Sequence, residues 1–385
     1  MIKARAFLEQ CLERRFDFFT GTPCSYLKPL INYVIDHKHF RFIDAVNEGD
    51  AVAVATGVTM AGGRSVVMFQ NSGLGNAVNP LTSLAHIFRV PLLLVITHRG
   101  ESGGQKDQPQ HELMGLITVK MLEFMKIGWA VFPKRTEDIE AALKTADEYM
   151  NRESLPFALI MGDEDVESYA LQSSVPKHPF CAEINQTEQF TVPYHQRHTR
   201  NEALKVVSKM TAQDTAIIAT TGYTSRELYA LHDRENQLYM VGSMGCALPL
   251  GFGIALAKPR VKTYVLDGDG ALLMRTGTMA TVGSYQPENL IHILLDNEAH
   301  ESTGGQWTVS GGVSFSTIAM GFGYRHALST DRLHEFEEFM RMASSQSGPT
   351  FIHFKIKTGA PENLGRPAIT PAQVKERLIQ YLEKY

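Results

Sequence analysis

Two polar clusters in the last third of the chain combine residue types and spacing that could do chemistry: Gly268-Asp269-Gly270 and, after an apolar run, Asp296-Asn297-Glu298-Ala299. Magnesium takes about six oxygens in near-octahedral array and shares them among one or two protein groups, phosphate oxygens and water. Asp269 offers a carboxylate oxygen, Asn297 an amide oxygen and Ala299 its backbone carbonyl. The glycines beside Asp269 let a diphosphate approach the backbone, and the helix expected to start after Gly270 would aim free amides at it. A lone Gly-Asp-Gly is an ordinary turn former. A second cluster one helix and one strand later turns the pair into a magnesium-diphosphate clamp.

Such a clamp needs elements that bring both clusters to one edge. The apolar residues Thr263 to Leu266 and Leu290 to Leu295 read as buried strands, which places both clusters at strand carboxyl ends, where open α/β sheets bind ligands. Further strands are expected over Phe16 to Thr20, Arg64 to Phe69, Pro91 to Thr97, Thr215 to Thr220, Lys262 to Asp267, Leu290 to Asp296 and Thr350 to Ile356. Helices are expected over Asp50 to Met60, Gly75 to His86, Thr224 to Leu231, Ala247 to Ala257 and Pro371 to Tyr385. This alternation predicts an α/β chain of two doubly wound parallel-sheet domains. The boundaries are 1–170 for the first, 171–200 for a polar, proline-containing linker, and 201–385 for the second.

Composition narrows the class. A chain of 385 residues with 44% hydrophobic residues can bury two cores, and 37 basic against 41 acidic residues give a net charge of −4, so no nucleic-acid or membrane field is implied. Cys11, Cys24, Cys181 and Cys246 show no CxxC spacing, which predicts free thiols in a reducing, cytoplasmic setting. The opening MIKARAFLEQCLERRF interleaves charges at helical spacing, unlike a secretory signal. A dinucleotide fingerprint is missing, since Gly73-Leu74-Gly75 and Gly251-Phe252-Gly253 both lack the third glycine.

With the clamp in place, the chain resembles the thiamin-diphosphate-dependent decarboxylases. The stretches that carry the likeness are FFTGTPCSYLKPLI (18–31), NEGDAVAVATG (47–57), QNSGLGN (70–76), HRGESGGQKDQPQH (98–111), TTGYTSREL (220–228), GSMG (242–245) and LDNEAHESTGGQ (295–306). The phosphonopyruvate decarboxylases are similar across them, and so are the sulfopyruvate decarboxylases. The resemblance implies thiamin diphosphate and Mg2+ as cofactors, with the first domain binding the pyrimidine and the second the diphosphate. It also implies active sites at the interfaces of a homo-oligomer. Glu48 is then the carboxylate that hydrogen-bonds the aminopyrimidine; read without the family, Asn47 is a helix N-cap and Glu48 a first-turn acid. Met244, beside Ser243, matches the bulky residue that bends the cofactor. Thr221 and Gly222, together with Gly268, Asp269, Gly270, Ala271 and Asn297, complete the cofactor contacts, and Asp269, Asn297 and Ala299 are the metal ligands.

The implied reaction is decarboxylation of 3-phosphonopyruvate to phosphonoacetaldehyde and CO2. A sulfopyruvate decarboxylase and a carboligase on a related 2-oxo acid stand as alternatives. A phosphonate dianion needs an anion pocket of its own. Thr22-Pro23-Cys24-Ser25, with Pro23 at an expected first helical position, offers free amides and the Ser25 hydroxyl. The loop from His98 to His111 offers Arg99, Lys106 and Asp107 among glycines. His300 and His111 are both proton-transfer candidates by type. Many relatives read GVPDS where this chain has GTPCS, so an acidic residue is lost beside the expected anion site.

Overall fold

The computed structural model describes residues 1–104, 107–174, 190–211 and 214–385. The chain divides into two compact units, Met1–Pro176 and Lys177–Tyr385. Lys106 and Cys181 lie outside the described residues.

The first unit is built on β1 Phe16–Gly21, β2 Arg41–Asp44, β3 Arg64–Phe69, β4 Leu93–Thr97, β5 Gly128–Val131 and β6 Phe157–Met161. They form one parallel sheet in the order β2-β1-β3-β4-β6-β5. The inner strands are apolar and buried on both faces, as sheets covered by helices on both sides require. The edge strands RFID and GWAV are only partly covered. The second unit contains β7 Thr215–Ala219, β8 Gln237–Tyr239, β9 Lys262–Gly268, β10 Leu290–Asp296, the two-residue strands β11 Ala299–His300 and β12 Gln306–Trp307, β13 His326–Thr330 and β14 Thr350–Lys355. Its parallel sheet runs β13-β14-β10-β9-β7-β8, while β11 and β12 pair antiparallel as a separate hairpin.

Renumbered within each unit, both sheets have the order 2-1-3-4-6-5. The winding reverses between the first and third strands: β1 and β3 in the first unit, β7 and β9 in the second. Ligands of open α/β sheets bind outside the strand ends at such a reversal. Gly268-Asp269-Gly270 closes β9, Thr220-Thr221-Gly222 follows β7, and in the first unit Thr22 follows β1 and Gln70 follows β3.

Each strand expected from the sequence has a counterpart, within two residues at either end. Several helical expectations need correction. Pro23 is not a first helical residue: Thr22 to Cys24 are irregular, and the helix is Lys28–Asp36 with Pro29 in its first turn. The helix after β9 starts at Asp269 itself, with Gly268 as its cap. The segment expected as one helix from Gly75 to His86 is a helix Leu74–Pro80 followed by a π-helical stretch Leu81–Ala85, since Pro80 has no amide to donate. Arg200, placed at the end of the linker, opens the helix Arg200–Met210 behind a Thr199–Glu202 capping box and is 7% exposed.

Candidate functional site

In the second unit, the ends of β7, β9 and β10 enclose an open pocket with a cavity volume of about 70 Å³. It brings together Thr221, Gly222, Met244, Gly268, Asp269, Gly270, Ala271, Asn297, Ala299 and His300, which come from four separate stretches of sequence. Ser243 adjoins as a buried residue in left-handed conformation, with φ 51°. Gly270 forms the floor. A Cβ there would stand 2.6 Å from His300 Cε1 and 3.1 Å from Met244 Cε, so the ring and the thioether methyl both lean over it.

Asp269 is 3% exposed and accepts a hydrogen bond from the Thr308 hydroxyl. Burial first, and then the nearby charge of Asp296, push its pKa up to about 6. Asp296 is fully buried. Burial opposes its charge too, but hydrogen bonds from His353 and Lys355, both 2.9 Å, outweigh that and hold its pKa well below the carboxylate range. Thr308 contacts Ser310 at 3.0 Å, and Ser310 donates to Asp296 at 2.9 Å. Two hydroxyls thus bring two protons to three oxygen contacts between two carboxylates. A proton on Asp269, or a cation drawing off its charge, relieves the mismatch.

Asn297, 3% exposed, is oriented from both ends: Nδ2 donates to Glu301 Oε2 at 3.0 Å, and Oδ1 accepts from the Ala299 amide at 3.2 Å. Glu301 is itself fixed by the amides of Gly359 and Ala360, at 2.6 and 2.9 Å, and by Arg200. Arg200 also binds Glu227, which is 0% exposed, at 2.6 Å. Burial works against ionisation of Glu301, but Arg200 and the amides lower its pKa on balance, whereas burial keeps that of Glu227 raised. Arg200, Glu301 and Thr308 were missed from sequence. Thr308 and Glu301 stand close to the DN cluster, but nothing at the level of residue type marks a distant arginine as the partner of Glu301.

The remaining candidates belong to the first unit. Glu48 opens the helix Glu48–Met60, whose residues from Gly49 to Val58 are all buried and small enough to pack closely, and Asn47 caps it by accepting from Gly49 N at 2.8 Å. Glu48 is half-buried. Its Oε1 accepts from Thr22 Oγ1 at 3.1 Å and its Oε2 from Asn76 Nδ2 at 2.8 Å. Arg99 holds Asp107 through two parallel bonds of 2.9 and 2.7 Å, reaches Ser25 Oγ at 3.4 Å and lies 5.0 Å from the Tyr26 ring centre. The Arg99 hydrogen bonds lower the Asp107 pKa despite its partial desolvation. The backbone of Arg99 is fixed by fully buried Asn71. His111 is 6% exposed, and its Nδ1 has no hydrogen-bond partner.

The pocket fits a diphosphate with its cation. Glycine lining leaves room for an anion against the backbone, and a buried carboxylate with a raised pKa needs a counter-charge. A cation there would take one carboxylate and neutral oxygens from Asp269, Asn297 and Ala299, leaving positions for phosphate and water. Among the described residues no cluster of three His, Cys, Asp or Glu side chains offers a metal cage of another kind. Among them, too, no helix is long and apolar enough to cross a membrane.

Comparison with known proteins agrees with this geometry. Residues 2–118 match the N-terminal TPP binding domain of thiamine pyrophosphate enzymes, and residues 219–354 match the C-terminal TPP binding domain. A phosphonopyruvate decarboxylase of Streptomyces viridochromogenes is 40% identical over 364 residues, covering 94% of this chain and 90% of that protein. A sulfopyruvate decarboxylase of Methanosarcina acetivorans is 27% identical over 379 residues, covering 95% and 94%. The crystal structure of benzoylformate decarboxylase from Polynucleobacter necessarius superposes with a TM-score of 0.73 at 13% identity, over 94% of this chain and all of that one, and so shares the fold. Sharing this length of sequence with curated decarboxylases, the chain belongs to the thiamin-diphosphate-dependent decarboxylases, enzymes whose cofactor is also called thiamine pyrophosphate.

Proposed function

We propose that the chain catalyses the Mg2+-dependent, non-oxidative decarboxylation of 3-phosphonopyruvate to phosphonoacetaldehyde and CO2. The observation that carries the substrate is the 40% identity to a phosphonopyruvate decarboxylase over nearly the whole chain, against 27% for the sulfopyruvate enzyme over a similar length. When bound, thiamin diphosphate supplies an electron sink for the pair released as a 2-oxo acid loses carbon dioxide.

The chain's own residues then divide the work. Asp269, Asn297 and the Ala299 carbonyl hold the magnesium. Thr221, Gly222, Ser243, Gly268, Gly270 and Ala271 accommodate the diphosphate, and Met244 supplies bulk against the cofactor. Glu48 fixes the proton on the aminopyrimidine ring nitrogen. His300, which overhangs Gly270 in the pocket, is the proton donor best supported by position, and His111 is the second candidate. Ser25 and Arg99 take the phosphonate, with Asp107 holding the Arg99 fork in plane; Lys106 is proposed from its type alone. An arginine fork suits a phosphonate because it donates two parallel bonds to its oxygens. The active unit is a homo-oligomer of at least two chains, for which light scattering should give no less than twice the chain mass.

Phosphorus NMR of the purified protein with thiamin diphosphate, magnesium and phosphonopyruvate tests the reading. Parallel assays of CO2 release from pyruvate and sulfopyruvate complete it. Cofactor-dependent phosphonoacetaldehyde with little turnover of the other acids is expected. Preferred turnover of sulfopyruvate, or an acyloin product, would replace the substrate assignment.

A further inference from the structure

The Glu48 carboxylate is enclosed on three sides by groups that arrive from different strand ends. Thr22, just after β1, donates to Oε1 at 3.1 Å. Asn76, in the helix after β3, donates to Oε2 at 2.8 Å. Gly73, between β3 and that helix, closes the third side: a Cβ there would stand 2.4 Å from both Glu48 Cγ and Oε1. β1 and β3 are the pair at which the first sheet reverses its winding, so the carboxylate sits where that unit presents a ligand edge.

A surface asparagine and a loop threonine ordinarily satisfy whatever lies near them. Here each takes a different oxygen of the same carboxylate, and the packing beside Gly73 stops that carboxylate from turning away. Each oxygen keeps a second lone pair, so both donors can stay in place while Glu48 engages a ligand. A group that has to hold a proton on a partner's ring nitrogen works best as a fixed acceptor.

We propose that Thr22 and Asn76 are positioning residues for Glu48, each fixing one carboxylate oxygen toward the cofactor's aminopyrimidine. The proposal rests on the reading of Glu48 given above. It makes two residues with no direct part in the reaction necessary for activating the cofactor, while leaving its affinity nearly unchanged, because the diphosphate is held in the other unit.

The test compares Thr22→Val, Thr22→Ser, Asn76→Leu and the double variant Thr22→Val/Asn76→Leu in the holoenzyme, with Glu48→Gln as control. Three quantities are read: kcat, the dissociation constant of thiamin diphosphate by tryptophan fluorescence, and hydrogen–deuterium exchange at the cofactor's reactive carbon by acid quench and proton NMR. Thr22→Val and Asn76→Leu should each slow exchange and kcat together by roughly 10- to 100-fold, the usual scale for losing a hydrogen bond that orients a working group. Cofactor affinity should stay within about threefold, and Thr22→Ser should recover most of the loss. The double variant should fall short of the product of the two single effects, as residues acting on one group do. Wild-type exchange in both single variants, or Thr22→Ser as slow as Thr22→Val, would overturn the proposal while a dead Glu48→Gln leaves the role of Glu48 standing. Full turnover in Glu48→Gln would sink both.

Discussion

The ring of His300 lies across Gly270 so closely that a single added carbon on the glycine would come within 2.6 Å of it. The floor of the pocket and its candidate proton donor are therefore one packed unit, joined by the Met244 methyl, 3.1 Å from the same point.

Gly270→Ala should accordingly damage the pocket more than the fold. The atoms in the way are side-chain ends that can shift, whereas backbone could not. Little change in melting temperature is expected, with at least a tenfold rise in the dissociation constant for thiamin diphosphate and a fall in kcat from the displaced His300. Thermal unfolding and cofactor titration of the same preparation check both.

Metal-free protein should lose stability as pH rises from about 4 to about 6. Asp269 binds its proton more tightly when folded, since its pKa is raised from 3.8 to about 6. The folded state thus holds the extra proton at low pH and loses that advantage as the group ionises, a cost on the order of 3 kcal/mol. Asp269→Asn removes the penalty along with the metal ligand. Without metal at pH 7.5 it should melt above the wild type, yet gain nothing from added magnesium and thiamin diphosphate, which should raise the wild-type melting temperature. Calorimetry with and without the cofactors separates the two effects.

Arg200→Ala should destabilise the protein by about 3–5 kcal/mol, the usual cost of stripping one partner from a buried ion pair. Glu227 would be left fully buried with no cation, and its second oxygen already has no hydrogen-bond partner. Because Arg200 also holds Glu301, which orients Asn297, magnesium affinity should fall with stability. Urea unfolding and a magnesium titration of activity give the pair of numbers. Glu227→Gln in the Arg200→Ala background should restore stability without restoring metal affinity.

Arg99→Lys keeps the charge but loses the planar fork that grips Asp107 with two bonds. The KM for a phosphonate-bearing 2-oxo acid should rise about 10- to 100-fold with a smaller change in kcat, and pyruvate, which lacks the second anion, should be affected less. Steady-state kinetics on both substrates decides this.

What residue types and spacing determined by themselves was the set of inner strands of the second unit and the polar clusters at their ends. That Asp269, Asn297 and Ala299 line one pocket was legible because the polar clusters holding them follow fully buried apolar strands, and that signal is local. The edge strands β2, β5, β8 and β13 were not read: β2 and β5 are half-exposed and carry little apolar pattern, β8 has only three residues, and β13 mixes polar residues into its buried positions. The buried strand β6 (FALIM) carries the same signal as β4 and went unread with them. The close approach of Thr22, Gly73 and Asn76 to Glu48, of Arg200 to Glu227 and Glu301, and of Thr308 to Asp269 was decided by tertiary structure alone. Each joins residues 25 or more positions apart, and hydrogen bonds to a carboxylate can be made by so many residue types that only the convergence of strand ends selects the partners.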